Sequence, residues 1–413
     1  MLDKAKFIVK KAEELAEPLF KKMEDISLFN QKKVIDAFRL HKVSTRHFCP
    51  STGYGYDDSS RETLGKIFAS IFGGEKAIVS PIIASGTHAL TIALFGLLRP
   101  GDNFLSLTGD PYDTLLNVIS GENIGSLKDF GVRYNKLELN NDGKIDLISL
   151  KSYLDNNKCK LIFLTRSRGY SWRNALSIDE IKDVVLKIRA INQNIIIFVD
   201  NCYGEFTEII EPCEIDADVV VGSLIKNPGG GLAPTGGYIV GKEKFINLIS
   251  NRLTAPSIGT EIGSYNASYQ PFYQGIFLAP SVVENAIKTS ILAGISYKSL
   301  GYDVSPEPLI MPHDIIRAIK FDNKTELIDF IREIQYVSPV DSYVRADPWD
   351  MPGYNDQVIM AAGTFIQGGS IELSSDAPIR EPFIAYMQGG LTYQHGKIAI
   401  ITTVTKLLKT KLN

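Results

Sequence analysis

Residues 194–201, NIIIFVDN, and residues 223–237, SLIKNPGGGLAPTGG, decide how this chain folds. The first is a short run rich in β-branched residues that closes on Asp200, and such a run between polar flanks reads as a buried strand. The second follows the apolar run ADVVVG and precedes GYIVG. Lys226 therefore stands where another buried strand ends and a glycine-rich turn begins. A lysine in that place can be partly desolvated, which favours the neutral amine needed to form a Schiff base with an aldehyde. An aspartate at the end of another strand could keep a pyridine nitrogen protonated. The two residues together, more than the lysine alone, match the way pyridoxal phosphate is held.

Working outward, residues from 51 to about 265 alternate β-rich runs with helical stretches: KAIVSPII, DNFLSL, CKLIFLT, NIIIFVD, DVVVGS and GGYIVG. That alternation predicts an α/β unit with a mostly parallel sheet covered by helices on both faces. One helix is well marked, with Ser177 and Glu180 as a capping box and Ile178, Ile181, Val185 and Ile188 along one face. Residues 1–50 alternate apolar and charged residues at helical spacing, an amphipathic arm that packs on something larger or contacts a second subunit. The last third changes character. SVVENAIKTSILAGISYKSLG and KTELIDFIREIQY read as helices, QVIMAAGTFIQGGSIELSSD as two antiparallel strands joined at Gly368-Gly369, and HGKIAIITTVTKLLKTKL as a closing helix. The expected division is a helical arm over 1–50, a large α/β domain over 51–265 and a smaller α+β domain over 266–413.

With 413 residues, 44% hydrophobic and 22% charged, the chain can bury cores for two domains. A net charge of -3 supplies no basic field, so nucleic acid is not an expected partner. Cys49, Cys159, Cys202 and Cys213 form no CxxC pair, and the first residues, MLDKAKFIVKKAEELAEP, lack the apolar stretch of a signal peptide. A reducing cytoplasm is the natural reading. The longest apolar region, around ALTIALFGLL, ends at Arg99-Pro100, so no membrane span is expected.

Ser85, Gly86 and Thr87 lie between a strand and an apolar helix, where free N–H groups and two hydroxyls make a phosphate cradle or, more plainly, an ordinary helix cap. Neither GxGxxG nor GxxxxGK[ST] occurs, which removes the main support for dinucleotide or phosphate-loop binding. Ser223 could add a phosphate contact. Tyr112 in LTGDPYDTLLNVI could stack on a flat cofactor. In STGYGYDDSSRETL, Tyr56 and Arg61 could reach a phosphate across a subunit boundary, or sit in a plain surface loop.

SGTHA, GDPYDTL, TRSRGYSWR, DNCYGEF, SLIKNPGGGLAPTGGY and SSDAPIREPF, in this order, closely resemble the bacterial aluminium-resistance, cystathionine beta-lyase/methionine gamma-lyase-like proteins. The resemblance covers about Tyr54 to Arg380. It implies the fold-type I, aspartate-aminotransferase-like architecture of pyridoxal phosphate enzymes, with a mostly parallel seven-stranded sheet and a smaller α+β domain. It implies an internal aldimine on Lys226, a ring-nitrogen partner in Asp200, phosphate contacts from Ser85, Gly86, Thr87 and Ser223, and Tyr112 on the ring. Tyr56 and Arg61 would approach from a partner subunit in a homodimer or homotetramer whose site lies at the interface. The implied activity is β- or γ-elimination from a sulfur-containing amino acid, with Lys226 as general base and Tyr112 as the acid. An aminotransferase, another amino-acid enzyme or a non-catalytic cofactor-binding protein are the alternatives. Leu224-Ile225 before the lysine and NPGGG after it depart from the cystathionine lyases.

An amino-acid substrate needs a cation for its carboxylate. Arg380 is the first choice because the small domain of the group usually supplies it, and Arg168 and Arg173 compete. Cys202 reads as a buried spectator, Glu205 and Glu208 as a solvated loop, and Trp172 and Trp349 as packing. His88, His313 and His395 are scattered, so no metal site is expected.

Overall fold

Strands β1 (Lys76–Ser80), β2 (Asn103–Ser106), β3 (Arg133–Lys136), β4 (Leu161–Thr165), β5 (Ile196–Asp200), β6 (Val219–Ser223) and β7 (Gly237–Gly241) form one sheet in the order β1-β7-β6-β5-β4-β2-β3. The computed structural model describes residues 1–140, 142–352 and 354–411. β7 runs antiparallel to β1 and β6, and the other pairings are parallel. Successive side chains of a strand point to opposite faces, so both faces of this sheet need cover. Ile196 and Phe198 enter a core shared with Leu90, Ala93 and Leu94, whereas Ile197 and Val199 enter one shared with Ile181, Val185 and Ile188.

The helices supply that cover: α1 (Leu2–Leu40), α2 (Ser59–Phe72), α3 (Gly86–Leu97), α4 (Asp113–Ser120), α5 (Leu147–Asn156), α6 (Ile178–Ile191), α7 (Glu243–Ser250), α8 (Gln270–Ser299), α9 (Lys324–Tyr336) and α10 (Tyr393–Thr410). The capping box at α6 is present, with the Ser177 hydroxyl accepting the Glu180 N–H and the Glu180 carboxylate accepting the Ser177 N–H. The N-terminal arm is one 39-residue helix whose buried stripe, Ala5, Val9, Ala12, Ala16, Phe20 and Met23, lies against α8 and α10. α8 is long and apolar enough by length and composition to cross a membrane, a helix that the sequence reading did not single out in that way. Its residues are mostly buried between α1, α10 and the second sheet, which accounts for the composition.

A second sheet, all antiparallel, has the order β10-β11-β12-β9-β8 with β8 (Asp303–Ser305), β9 (Ile316–Lys320), β10 (Val358–Ala361), β11 (Ser374–Pro378) and β12 (Ile384–Gln388). β10 and β11 pair as expected, Val358 opposite Pro378, but residues 362–373 separate them. Gly368-Gly369 is therefore part of a longer connection and not the turn itself. The Glu372 carboxylate closes that connection by accepting the N–H groups of Phe365 and Ile366 at 2.9 and 2.8 Å. One face of this sheet, with Ala385, Met387, Ala377 and Ile359, joins the main core. On the other face, Ile316, Ala318 and Tyr386 pack against Tyr170 and Tyr203 from the loops after β4 and β5.

Candidate active site

Parallel strands deliver their carboxyl ends to one crevice, and that is where the sequence motifs meet. Asp200 ends β5, Ser223 ends β6, Lys226 follows three residues later, and α3 starts at Gly86 after β1. Ser85 caps α3 by accepting the His88 N–H at 3.0 Å. The first N–H groups of the helix have no intrahelical acceptor, and the helix dipole favours an anion there. Gly86 lets the helix start approach β6: a Cβ on it would lie 3.3 Å from the Ser223 Cβ and 3.6 Å from the Cys202 Sγ. The Ser223 hydroxyl is buried and has no hydrogen-bond partner among the described residues. An orphaned hydroxyl beside a helix N-terminus is costly to bury and fits an oxyanion such as a phosphate.

Lys226 is enclosed by protein, with its Nζ 4.1 Å from the centroid of the Tyr203 ring. Burial works against its ammonium, but Cys202, Tyr203, Asp200 and Tyr112 around it outweigh that cost and hold the amine above the ordinary lysine range. Burial pushes the Cys202 thiol and the Tyr203 and Tyr112 phenols up. The expected lowering by desolvation does not prevail, because the acidic groups packed around the lysine oppose it. Asp200 is itself raised by burial, opposed by Lys226 and by the Cys202 N–H that it accepts at 3.1 Å. Tyr112 shares a 2.9 Å hydrogen bond with the Thr87 hydroxyl, which ties the phenol to the start of α3. The NPGGG turn rests directly on α8, where a Cβ on Gly230 would come 2.4 Å from the Gly275 carbonyl oxygen.

The second sheet supplies the opposite wall. Tyr170 and Tyr386 have ring centroids 5.1 Å apart, and Tyr170 and Tyr354 lie 6.0 Å apart. Asp376 on β11 accepts a 3.2 Å hydrogen bond from the Gln388 side chain, and burial lifts its carboxyl to about 7. None of Tyr170, Tyr203, Tyr354 or Asp376 was singled out from the sequence. The available signal was an aspartate inside a short strand, SSDAP, with small and apolar neighbours.

Several expected residues have other employment. Arg168 is buried, its Nε 3.6 Å from Asp314 and its Nη1 donating to the carbonyl and hydroxyl of Ser305 at 2.8 and 2.9 Å. It joins the loop after β4 to the second sheet. Arg173 donates to the carbonyls of Thr165, Ser167 and Asn174, holding the turn together. Arg380 is half exposed and pairs with Asp356 at 2.8 Å. Arg61 is buried within its own subunit and donates to the Gly263 and Gly55 carbonyls at 2.9 and 3.0 Å, so it fastens the loop that carries Tyr56. Tyr56 itself is 64% exposed, beside Tyr54.

Glu205 and Glu208 are not a solvated loop. Glu205 is fully buried, accepts the Tyr238 hydroxyl at 2.8 Å, and is pushed by burial to about 8. Burial would raise Glu208, but His313 and the buried Arg166, 2.8 Å away, bring it down to about 2. Trp172 and Trp349 are 43% and 49% exposed and fill no core. Among the described residues, no group of three or more His, Cys, Asp or Glu side chains is placed to hold a metal ion.

A crevice at the carboxyl ends of a seven-stranded sheet, faced by a second antiparallel sheet, is the fold-type I architecture of pyridoxal phosphate enzymes. The pyridoxal-5'-phosphate dependent protein YhfS from Escherichia coli shares that fold, with a TM-score of 0.63 at 16% identity over 94% of this chain and 97% of its own. The chain belongs to the methionine gamma-lyase family, whose model matches residues 5–408. It is 51% identical to the uncharacterized protein YnbB of Bacillus subtilis strain 168, over 95% of this chain and 94% of that protein. A structure described as a carbon-sulfur lyase involved in aluminum resistance from Clostridium novyi NT superposes with a TM-score of 0.94 at 46% identity, covering 98% and 96% of the two chains. A candidate cystathionine beta-lyase involved in aluminum resistance from Clostridium acetobutylicum gives 0.95 at 45% identity, again over 98% and 96%.

Proposed function

We propose that this chain is a pyridoxal phosphate-dependent carbon-sulfur lyase that eliminates the β or γ substituent of a sulfur-containing amino acid. The observation that carries this reading is the orphaned Ser223 hydroxyl beside the α3 N-terminus, with Lys226 and Asp200 buried in the same crevice. The Gly86 and Thr87 amides and the Ser223 hydroxyl suit the phosphate, and Ser85 keeps the cradle capped. Bound there, pyridoxal phosphate would supply an electron sink for the charge left when a proton leaves the substrate α-carbon. Asp200 is the residue that would hold a proton on the pyridine nitrogen. The Lys226 Nζ would be the amine that holds the cofactor and the base that takes the proton from the substrate α-carbon. Tyr112, anchored through Thr87, bounds the crevice from the β2 side.

Arg380 is the cation offered to the substrate carboxylate, which would exchange with Asp356 for it. The same reading takes a small amino acid as partner, in a cytoplasm, with neither nucleic acid nor membrane. It also takes a homodimer or homotetramer in which the exposed Tyr56 loop completes a neighbouring site. Titration of the cofactor-loaded protein with a panel of sulfur amino acids tests the assignment. Release of a keto acid and ammonia in one turnover is the expected result. Transfer of the amino group without ammonia would make it an aminotransferase, and a spectrum unmoved by any amino acid would make it a non-catalytic binder.

A further inference from the structure

Elimination leaves a departing sulfur that needs a proton, and the second sheet holds a carboxyl group with no other task. Asp376 is enclosed by protein yet keeps accessible surface, as do Lys226, Tyr203, Tyr170 and Tyr354. These groups come from five places: β11, the turn after β6, the loops after β4 and β5, and the segment before β10. Asp376 stands opposite Tyr386 in the sheet, Tyr386 packs on Tyr170 with ring centroids 5.1 Å apart, and Tyr203, in the same cluster, has the Lys226 Nζ 4.1 Å from its ring centroid. Gln388 from β12 gives Asp376 its one hydrogen bond from an amide, and Lys226 is the cation within its electrostatic reach. An anion among phenol rings, with only the Gln388 amide and the Tyr170 hydroxyl as neutral donors, is poorly solvated, so burial keeps the carboxyl protonated until about pH 7. Tyr112 is the weaker acid by far, since burial and Asp200 push its phenol well above the ordinary tyrosine range. Aromatic walls also suit a thioether, because sulfur packs favourably against ring edges.

We infer that Asp376 is the proton donor to the departing sulfur, in a leaving-group subsite walled by Tyr170, Tyr203 and Tyr354. This rests on the lyase reading. The carbon–sulfur bond breaks, its electron pair goes to sulfur, and the Asp376 proton makes the free thiol. The carboxylate then recovers a proton from the Lys226 ammonium, which holds the one taken from the α-carbon. The net change moves one proton from carbon to sulfur and needs no other reactant.

The test pairs substrates that differ in their need for an acid. S-methylcysteine must release a thiol whereas β-chloroalanine releases chloride, and methionine and O-acetylhomoserine form the equivalent γ pair. In the cofactor-loaded Asp376→Asn protein, kcat/KM for the thioether should fall by about a hundredfold or more, and for the chloride or acetate substrate by less than about threefold. Equal losses on both substrates, or no loss on either, would overturn the assignment. A wild-type protein that makes keto acid from none of the four removes the lyase reading, and this inference with it. An infrared titration of the cofactor-free full chain, as the difference between wild type and Asp376→Asn, gives a reading independent of turnover. A carboxyl C=O band that fades with a midpoint near 7 is expected, and a carboxylate ionised from pH 5 upward contradicts the role even if the variant folds poorly.

Discussion

Asp200 and Asp376 face the same buried lysine from different sheets. Asp200 sits at the end of a parallel strand whose neighbours all open onto one crevice, and the Lys226 charge opposes the effect of burial on it. Asp376 sits within an antiparallel strand and has one amide donor and a ring of phenols in place of a bound cation. The parallel sheet makes its wall from strand ends, where backbone and side chain converge by topology. The antiparallel sheet makes its wall from alternate residues of one face, which is assembled only when distant loops pack on it.

Arg168 joins the two walls, so its loss should have the largest structural effect. Arg168→Ala leaves Asp314 buried without its cation and should cost about 3–5 kcal/mol, seen as a lowered midpoint of denaturant unfolding. Arg380→Ala, whose pair is half exposed, should leave that midpoint nearly unchanged and raise KM for the amino acid. The reverse pattern would return the substrate role to Arg168.

Ser223→Ala touches the parallel wall alone. It should weaken pyridoxal phosphate binding by about tenfold while leaving the cofactor-free protein as stable or slightly more so, because an unpartnered buried hydroxyl is removed. Unchanged cofactor affinity would take Ser223 out of the cradle.

A further effect concerns Glu205, beneath the same wall. Its carboxyl titrates near 4.5 when unfolded and near 8 in the fold. Below pH 4.5 both states are protonated and nothing is lost; as pH rises to 8 the unfolded chain ionises first, and folded stability falls. Glu205→Gln should therefore match wild type near pH 4.5 and exceed it by a margin that grows as pH rises to 8, measured by thermal unfolding across that range. A gain that is constant with pH would contradict the buried-acid account.

How legible each wall was follows from how it is made. Asp200, Ser223 and Lys226 each end an apolar run, so a local stretch of sequence marks them. The approach of Gly86 to Ser223 joins positions far apart in the chain, and no spacing within either segment announces it. Arg168 looked available because its partners, Asp314 and Ser305, lie in the segment that builds the second sheet. Asp376 was passed over for Arg380 four residues later, because a strand aspartate becomes informative only once Tyr170, Tyr203 and Lys226 are seen beside it. Lys226 was found for its position, but desolvation could be read from the sequence whereas the neighbours that oppose it, Cys202, Tyr203, Asp200 and Tyr112, come together only in the fold.

Reductive trapping tests the central assignment most directly. The protein is loaded with pyridoxal phosphate, reduced with borohydride, digested and analysed by mass spectrometry. A pyridoxyl phosphate adduct on the peptide carrying Lys226, lost in Lys226→Ala, is the predicted result; an adduct on another lysine, or none at saturating cofactor, would contradict the account.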